Sequence, residues 1–202
     1  MRKYYLVLVF TFLYPVLFAQ TFGGGFLAGL SMSQLDGDAW GGFNKAGLAG
    51  GIYTYTTISN RVDVQLELRY VQKGSHSESK SLNFYSSKLN YIELPLFLRY
   101  KVYSKFSADI GLAFGYLQKS LEDKDGGGDL PADPSFKEME FSGLIGVNYN
   151  VLDWLLFNAR FNYSILPVRE HPGGQSFYLN QGQYNSVITI CLYFQLANFG
   201  TK

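Results

Sequence analysis

The chain alternates between apolar and polar residues at successive positions in eight separate segments. In residues 62–70, every even position holds an aliphatic or aromatic side chain and every odd position a polar or charged one. A period of two residues places these two kinds of side chain on opposite faces of a β-strand. The same test selects eight predicted strands, at residues 25–33, 43–56, 62–73, 89–101, 106–120, 141–150, 154–166 and 183–194.

The segments that connect the predicted strands alternate between short and long. The second, fourth and sixth strands are followed by the short segments 57–61, 102–105 and 151–153. The other connections are long and polar, at residues 34–42, 74–88, 121–140 and 167–182. An even number of antiparallel strands with turns at one end and long loops at the other is the layout of outer-membrane barrels. We therefore predict an all-β fold, an eight-stranded antiparallel up-and-down transmembrane β-barrel of the smallest outer-membrane size.

A soluble, lipocalin-like barrel is the alternative that the alternation leaves open, and it would place the Leu and Ile face inside. The polar faces favour the membrane barrel, because they are rich in Gly, Ser and Asn rather than in Lys and Glu. Most segments also are as long as the roughly 9 to 11 residues that cross the hydrocarbon, or slightly longer. Aromatic residues near strand ends predict interfacial girdles. They are Tyr70, Tyr91, Tyr100, Tyr116, Tyr149, Trp154, Tyr163 and Tyr184.

The N-terminal residues have the pattern of an export signal. Arg2 and Lys3 precede an apolar run of 15 residues, and a plausible cleavage point follows Ala19. The run is shorter than the ~20 residues of a membrane-spanning helix. We predict a signal peptide at residues 1–19 and a barrel domain at residues 20–202. We expect the protein in the outer membrane of a Gram-negative-type bacterium, with both termini in the periplasm.

Charge and cysteine content narrow the set of partners. Removal of the predicted signal leaves 17 − 2 = 15 basic and 16 acidic residues, so the remaining chain is nearly neutral, at −1. Nucleic acid is therefore not an expected partner. The single cysteine, Cys191, cannot form an internal disulfide, and we expect it to be a small lumen-facing residue. Expected partners are outer-membrane lipid, the barrel-assembly machinery during biogenesis, and a protein at the loops or turns; no cofactor or metal is expected.

Charged residues lie on the polar faces of the predicted strands and would point into the lumen. They are Asp63, Glu67, Arg69, Glu93, Arg99, Lys101, Asp109 and Arg160. The interior of an eight-stranded barrel is just wide enough to be filled by side chains. We therefore predict a salt-bridged plug and not a wide pore; a solute-conducting pore is the alternative.

The two histidines are the candidates for acid–base chemistry. His76 and His171 both fall in predicted long loops, and His171 follows Glu170 and precedes Ser176 by a few residues. A Ser/His/Glu hydrolase that works on lipid at the membrane surface is therefore an alternative function. The chain has no Gly-x-Ser-x-Gly nucleophile motif. We expect a protein that is not an enzyme.

The third long loop is acidic. Residues 122–140 contain seven acidic and two basic residues around three consecutive glycines. Asp123, Asp125 and Asp129 suggest a site for a hard cation, but the twelfth position of an EF-hand counted from Asp123 is Pro134. A solvated loop is the favoured interpretation, and the sequence leaves cation binding open.

Two segments carry a family resemblance. Residues 67–74 (ELRYVQKG) and residues 89–100 (LNYIELPLFLRY) resemble the PorT-like outer-membrane β-barrel family, which has Glu-Leu-x-Tyr-x-x-Lys-Gly and Leu-Asn-Tyr-x-Glu-x-Pro strands. The Gly-rich segment 25–33 and the spacing of Gly111 and Gly115 agree with it. The resemblance implies an eight-stranded barrel, and most members have no assigned activity. The name-giving member belongs to a secretion apparatus, so a secretion accessory is another alternative. We expect a structural role, or partner or ligand binding through extracellular loops.

Overall fold

The computed structural model of the chain describes residues 22–38, 41–77, 84–171 and 182–199. Nine strands form in these ranges. They are β1 (Phe22–Asp36), β2 (Lys45–Ser59), β3 (Val62–His76), β4 (Ser86–Lys101), β5 (Phe106–Asp123), β6 (Leu130–Pro131), β7 (Met139–Leu152), β8 (Leu155–Ser164) and β9 (Tyr184–Phe199). No helix in these ranges has both the length and the apolar character that a bilayer span requires.

The eight long strands close into an antiparallel barrel. Each one pairs with its neighbours in the chain, β1 also pairs with β9, and the two-residue β6 adds only to one end of β5. Closure leaves no unpaired edge among the long strands, so their backbone N–H and C=O groups are satisfied within the sheet. This is a requirement for a sheet that crosses lipid. The predicted eight-stranded antiparallel barrel is confirmed.

The two ends of the barrel differ in the length of their connections. Residues 60–61, 102–105 and 153–154 form the turns of the short-turn end. The connections at the other end, here the long-loop end, are residues 37–44, 77–85, 124–138 and 165–183. Within them, residues 39–40, 78–83 and 172–181 lie outside the described ranges. The predicted signal peptide, residues 1–19, also lies outside the described ranges and stays a prediction.

Most predicted strand bounds are too short at the long-loop end. β3, β4 and β5 each extend three residues further toward this end than predicted, to His76, Ser86 and Asp123. The added residues are mostly Gly, Ser and acidic residues, which resemble loop sequence although they continue the ladder. β1 and β7 are also longer than predicted. β2 begins two residues and ends three residues later than predicted, and β8 ends at Ser164, two residues before its predicted end. β9 continues five residues beyond the predicted end at Phe194, to Phe199.

Gly74 allows the extension of β3. Its φ angle is +137°, a region that favours glycine, and a Cβ atom on it would lie 2.0 Å from the carbonyl oxygen of Ser87. The backbones of β3 and β4 therefore approach each other at this position only because the residue has no side chain. Pairing then continues to His76 and Ser86.

The alternating faces of the strands have the predicted orientation. On β3, Leu66 and Leu68 are 39% and 48% exposed, whereas Glu67 and Arg69 are buried. β4 and β5 repeat the pattern, with the outward side chains forming a continuous apolar band around the barrel. An apolar outer surface and a charged interior fit a barrel surrounded by lipid. The soluble alternative, with the Leu and Ile face inside, is wrong.

Aromatic residues form two belts on the outer surface. Tyr70, Tyr116 and Tyr163 are exposed toward the long-loop end, and Tyr100 and Trp154 toward the short-turn end. Such belts occur where a barrel meets the membrane interfaces. Half-buried rings complete the belts, as Tyr184 stacks on Tyr163 and Tyr149 lies against Phe106. The prediction was wrong for Tyr91, which is fully buried and points into the lumen.

Phe97 breaks the alternation of β4 because it is an aromatic residue on the inward face. It is 2% exposed, and on the neighbouring strand it meets Gly111, where a Cβ atom would lie 2.3 Å from the Cβ of Phe97. Gly111 therefore makes the space that the ring occupies. The guanidinium of Arg160 lies 4.5 Å from the centre of this ring, which gives the charged interior an aromatic contact.

We predict that Leu66→Arg lowers the free energy of unfolding from lipid vesicles by about 2 to 4 kcal/mol, because it places a charge in hydrocarbon. The matched control is Tyr103→Arg in a turn, where the native side chain is 75% exposed. This control should change stability by less than about 0.5 kcal/mol. Equal effects of the two substitutions in equilibrium denaturation would contradict the orientation of β3.

Candidate functional site

The lumen nearer the short-turn end is crossed by an ion pair between distant strands. Arg160 on β8 donates from Nη1 to Oε2 of Glu67 on β3 at 2.8 Å, and from Nη2 to Oε1 at 3.0 Å. The hydroxyl of Tyr193 donates to the same carboxylate at 2.8 Å. Two parallel N–H···O bonds fix both the distance and the orientation of a guanidinium and a carboxylate. This contact therefore joins opposite walls of the barrel.

Asp109 continues this layer of charges toward β4. Arg99 donates to Asp109 from Nε at 2.8 Å and from Nη2 at 3.0 Å. Nη2 of Arg160 lies 3.7 Å from Oδ2 of the same carboxylate. The side-chain amide of Asn148 donates to Asp109 at 2.8 Å, and that of Asn158 donates to Asn148 at 2.7 Å. Amides and guanidinium groups thus supply the donors that a buried carboxylate needs.

A second layer of ion pairs lies nearer the long-loop end. Arg69 donates from Nε to Glu93 at 2.8 Å, and the ammonium of Lys73 lies between Glu93 and Glu140. The amide of Asn185 donates to Glu140 at 2.6 Å. Lys73 and Glu140 are members of this layer that the sequence pattern did not identify. Lys73 is at an odd position of β3, and the odd positions of this strand face the lumen. Glu140 was assigned to a loop because the predicted strand began at residue 141.

The two layers form a neutral plug. They contain four carboxylates and four cations, 4 − 4 = 0, and each of the eight residues is less than a tenth exposed. Removing a charge from water costs several kcal/mol unless a partner and hydrogen bonds compensate it. Pairing across the lumen provides this compensation, and the paired side chains fill the space. The members are Glu67, Glu93, Asp109, Glu140, Arg69, Lys73, Arg99 and Arg160.

The structure places every predicted lumen charge in an ion pair with another member of that set. Six of the eight belong to the plug. The remaining two, Asp63 and Lys101, pair at 2.8 Å at the mouth of the short-turn end, where the Lys101 side chain is 43% exposed. Cys191 is buried and faces the lumen.

The long-loop end is covered by a cap that the sequence did not reveal. Arg169, which follows β8, lies 4.0 Å above the ring of Phe136 and contacts the carboxylate of Glu122. The hydroxyl of Tyr85 donates to Glu122 at 2.7 Å, and burial together with this carboxylate raises the pKa of Tyr85 well above its usual value. Apolar side chains pack around this contact, namely Leu35, Leu89, Tyr91, Ala132, Phe136 and Val168.

The acidic loop does not assemble its carboxylates into a cation site. Its first residue, Glu122, belongs to the cap, and its last residue, Glu140, belongs to the plug. Asp123 accepts hydrogen bonds from the backbone N–H groups of residues 125, 126 and 128, and Asp129 pairs with Lys88 at 2.6 Å. Within the described ranges, no three potential metal ligands lie together. The carboxylates instead order the turn that carries them.

The residues of the hydrolase alternative are only partly described. His171 is half-buried at the long-loop end and Glu170 is exposed, whereas Ser176 lies outside the described residues. His76 ends β3, where its ring contacts Phe84 at 5.8 Å between ring centres. No catalytic geometry follows from these positions.

The short-turn end contains a cavity of about 960 Å³. Its lining includes Arg99 and Tyr193 on the side of the plug and Asp63 and Lys101 on the wall. The sequence pattern does not predict this cavity, because a void depends on how side chains from several strands meet. The barrel is thus capped at one end, plugged in the middle and open at the other end.

These features define an outer-membrane β-barrel with a filled lumen. The family described as "Outer membrane protein beta-barrel domain" matches residues 18–169, about three quarters of the chain, and the chain belongs to this family. No protein of curated function matches the sequence.

Solved structures of similar fold are outer-membrane barrels of bacteria. The attachment invasion locus protein Ail of Yersinia pestis is 12% identical, with a TM-score of 0.53, and the match covers 86% of this chain and 98% of that one. Neisserial surface protein A is 13% identical, with a TM-score of 0.53 and coverages of 86% and 97%. Ail in complex with the heparin analogue sucrose octasulfate is 11% identical, with a TM-score of 0.51 and coverages of 87% and 99%. Identities this low show the fold alone.

We predict that Arg160→Met lowers the free energy of unfolding by about 3 to 5 kcal/mol, because it leaves Glu67 buried without its cation. The double variant Arg160→Met/Glu67→Gln should be more stable than Arg160→Met, since no uncompensated carboxylate remains at position 67. Lys88→Met, which removes an exposed pair, is the matched control and should cost less than about 1 kcal/mol. Equal losses for Arg160→Met and Lys88→Met in denaturant titrations would show that the plug contributes little.

Proposed function

We propose that the protein is a non-conducting barrel that acts as a structural or binding protein through its long loops. In this proposal the long-loop end faces the outside of the cell, and both termini and the short turns face the periplasm. The neutral plug is the observation that carries it, because paired side chains cross the lumen in two layers. A filled eight-stranded interior leaves no continuous aqueous path.

The cap supports a binding role for the loops. Arg169, Phe136 and Glu122 fix the bases of two long connections, so the loops start from a packed platform. Binding residues are often carried on loops that a rigid scaffold positions. The Ail structure with a heparin analogue concerns a barrel of similar fold, and it supports ligand binding here only by analogy. Outer-membrane lipid and the assembly machinery are the other partners that we propose.

We also propose that the chain is PorT-like within its family. The two resembling segments, residues 67–74 and 89–100, contain the plug residues Glu67, Lys73 and Glu93. The resemblance therefore includes the interior of the barrel. A role as a secretion accessory stays an alternative. We propose no enzymatic activity, because the chain has no Gly-x-Ser-x-Gly nucleophile motif.

The purified protein in planar lipid bilayers should give no steady single-channel conductance, because the plug occupies the lumen. The variant Lys88→Met, altered only at an exposed pair of the long-loop end, should behave identically. Uniform current steps from a homogeneous sample would contradict the proposal. Heat-denatured protein serves as the control for detergent artefacts.

The proposed orientation predicts which end reacts with a membrane-impermeant thiol reagent in intact cells. In a Cys191→Ser background, Gly127→Cys in a long loop should react, and Ser104→Cys in a short turn should react only after lysis. Both native residues are exposed, so access to the residue itself is matched. Labelling of position 104 in intact cells, without labelling of position 127, would mean that the barrel is inserted the other way.

A further inference from the structure

The cavity at the short-turn end is a blind pocket. Its volume of about 960 Å³ lies within the range of roughly 300 to 1,000 Å³ that small-molecule sites have. The plug closes it toward the centre of the barrel, so anything that enters must come through the mouth between the turns. The pocket therefore ends at the plug, and its size would admit a small molecule.

The charges that line the pocket are mainly positive. The lining contains four basic and two acidic residues, the latter being Asp63 and Asp153; because Asp109 of the plug compensates Arg99, the remaining formal charge is 3 − 2 = +1. The basic residues are Arg61, Arg99, Lys101 and Lys105. A concave site with low-dielectric walls concentrates the field of such charges and favours anions.

Two of these cations form no ion pair among the described residues. Arg61 donates only a long hydrogen bond, 3.4 Å, to the hydroxyl of Tyr100, and Lys105 lies 5.8 Å from the ring centre of Tyr149. They come from neighbouring turns, which are tied together by the backbone bond from Lys101 N–H to the carbonyl of Arg61 at 2.8 Å. Their charged groups thus lie at the rim of the mouth, next to rings of the outer belt, and no described carboxylate neutralises them.

A third cation lies deeper in the pocket. Arg99 uses Nε and Nη2 for Asp109 and Asn148, and its Nη1 has no hydrogen bond within the described part of the chain. Its side chain is 10% exposed, and it lines the pocket. The innermost wall therefore keeps one guanidinium nitrogen that can donate to a ligand.

Aromatic and aliphatic side chains form the rest of the lining. The ring of Tyr53 contacts those of Tyr55 and Tyr193, with centres 6.3 and 5.2 Å away, and these three rings form one wall. Val151 and Leu152, the last two residues of β7, line the mouth beside the turn that carries Lys105, since Asn150 N–H donates to the carbonyl of Lys105 at 2.8 Å. Such a surface stacks on the flat or apolar part of a ligand.

We propose that this pocket binds a small organic anion that has an aromatic or aliphatic body. The anionic group lies at Arg61 and Lys105, and the body packs against Tyr53, Tyr55 and the aliphatic residues of the mouth. A ligand of this kind would use both the cations without an ion pair and the apolar wall. A vestibule that only holds water would require neither. This assignment is independent of the direction in which the barrel is inserted and of the function proposed for the loops.

The test is a titration of the isotope-labelled full chain in lipid nanodiscs with 4-bromobenzoate, followed by NMR. The amide signals of Tyr55, Lys105 and Gln195 should shift and saturate, and those of Gly126 and His171 at the other end should not. The neutral isostere 4-bromobenzamide should bind about tenfold more weakly. Arg61→Gln/Lys105→Gln should weaken binding of the benzoate by about tenfold, and Lys119→Gln near the long-loop end should leave it unchanged.

Several results would overturn the proposal. Absence of saturable shifts at the pocket residues would show that the site does not take such anions. Equal binding of the benzoate and the benzamide, or equal binding to the wild type and Arg61→Gln/Lys105→Gln, would remove the role of the cations. Shifts confined to lipid-facing residues such as Leu66 and Leu94 would mean that the probe only partitions into the bilayer.

Discussion

The constraint on which this structure depends is that charges inside a narrow barrel in lipid must be paired with each other. Water cannot compensate them in the filled lumen, and the hydrocarbon outside excludes them. The contact between Arg160 and Glu67 meets this constraint by joining β8 to β3 across the lumen. A register shift of β3 by one residue would break this contact, turn Glu67 toward lipid and bury Leu66. Interior pairing and exterior lipid therefore specify the same register.

The plug also determines what each end of the barrel can do. Since the two ion-pair layers separate the ends, a ligand at one end has no path to the other through the lumen. At the long-loop end, the contact of Arg169 with Phe136 and Glu122 lies over the lumen. The short-turn end keeps a pocket with a positive and aromatic lining. A single feature, the filled centre, thus separates the two ends of the barrel.

The alternation of side chains predicted much of this arrangement. It identified the eight strands, the outward apolar face and eight inward charges, because a period of two residues is a direct consequence of strand geometry. It failed where polar residues continue a strand beyond the apolar band, as at Ser86 and Glu140, since these residues resemble a loop. Tyr91 was assigned to the outer belt because it is aromatic and close to a strand end, but its odd position places it inside. The cap and the pocket depend on contacts between distant segments, which no local pattern contains.

The most direct test of the account is hydrogen exchange at the arginine Nε–H groups, followed by NMR of the protein in lipid. Arg69 and Arg99 donate these hydrogens to buried carboxylates at 2.8 Å, whereas Arg61 is exposed at a turn and is the internal reference. The account predicts that exchange at Arg69 and Arg99 is much slower than at Arg61, because the plug excludes water. Equally fast exchange at all three residues would show that water enters the layers and that the lumen is not sealed.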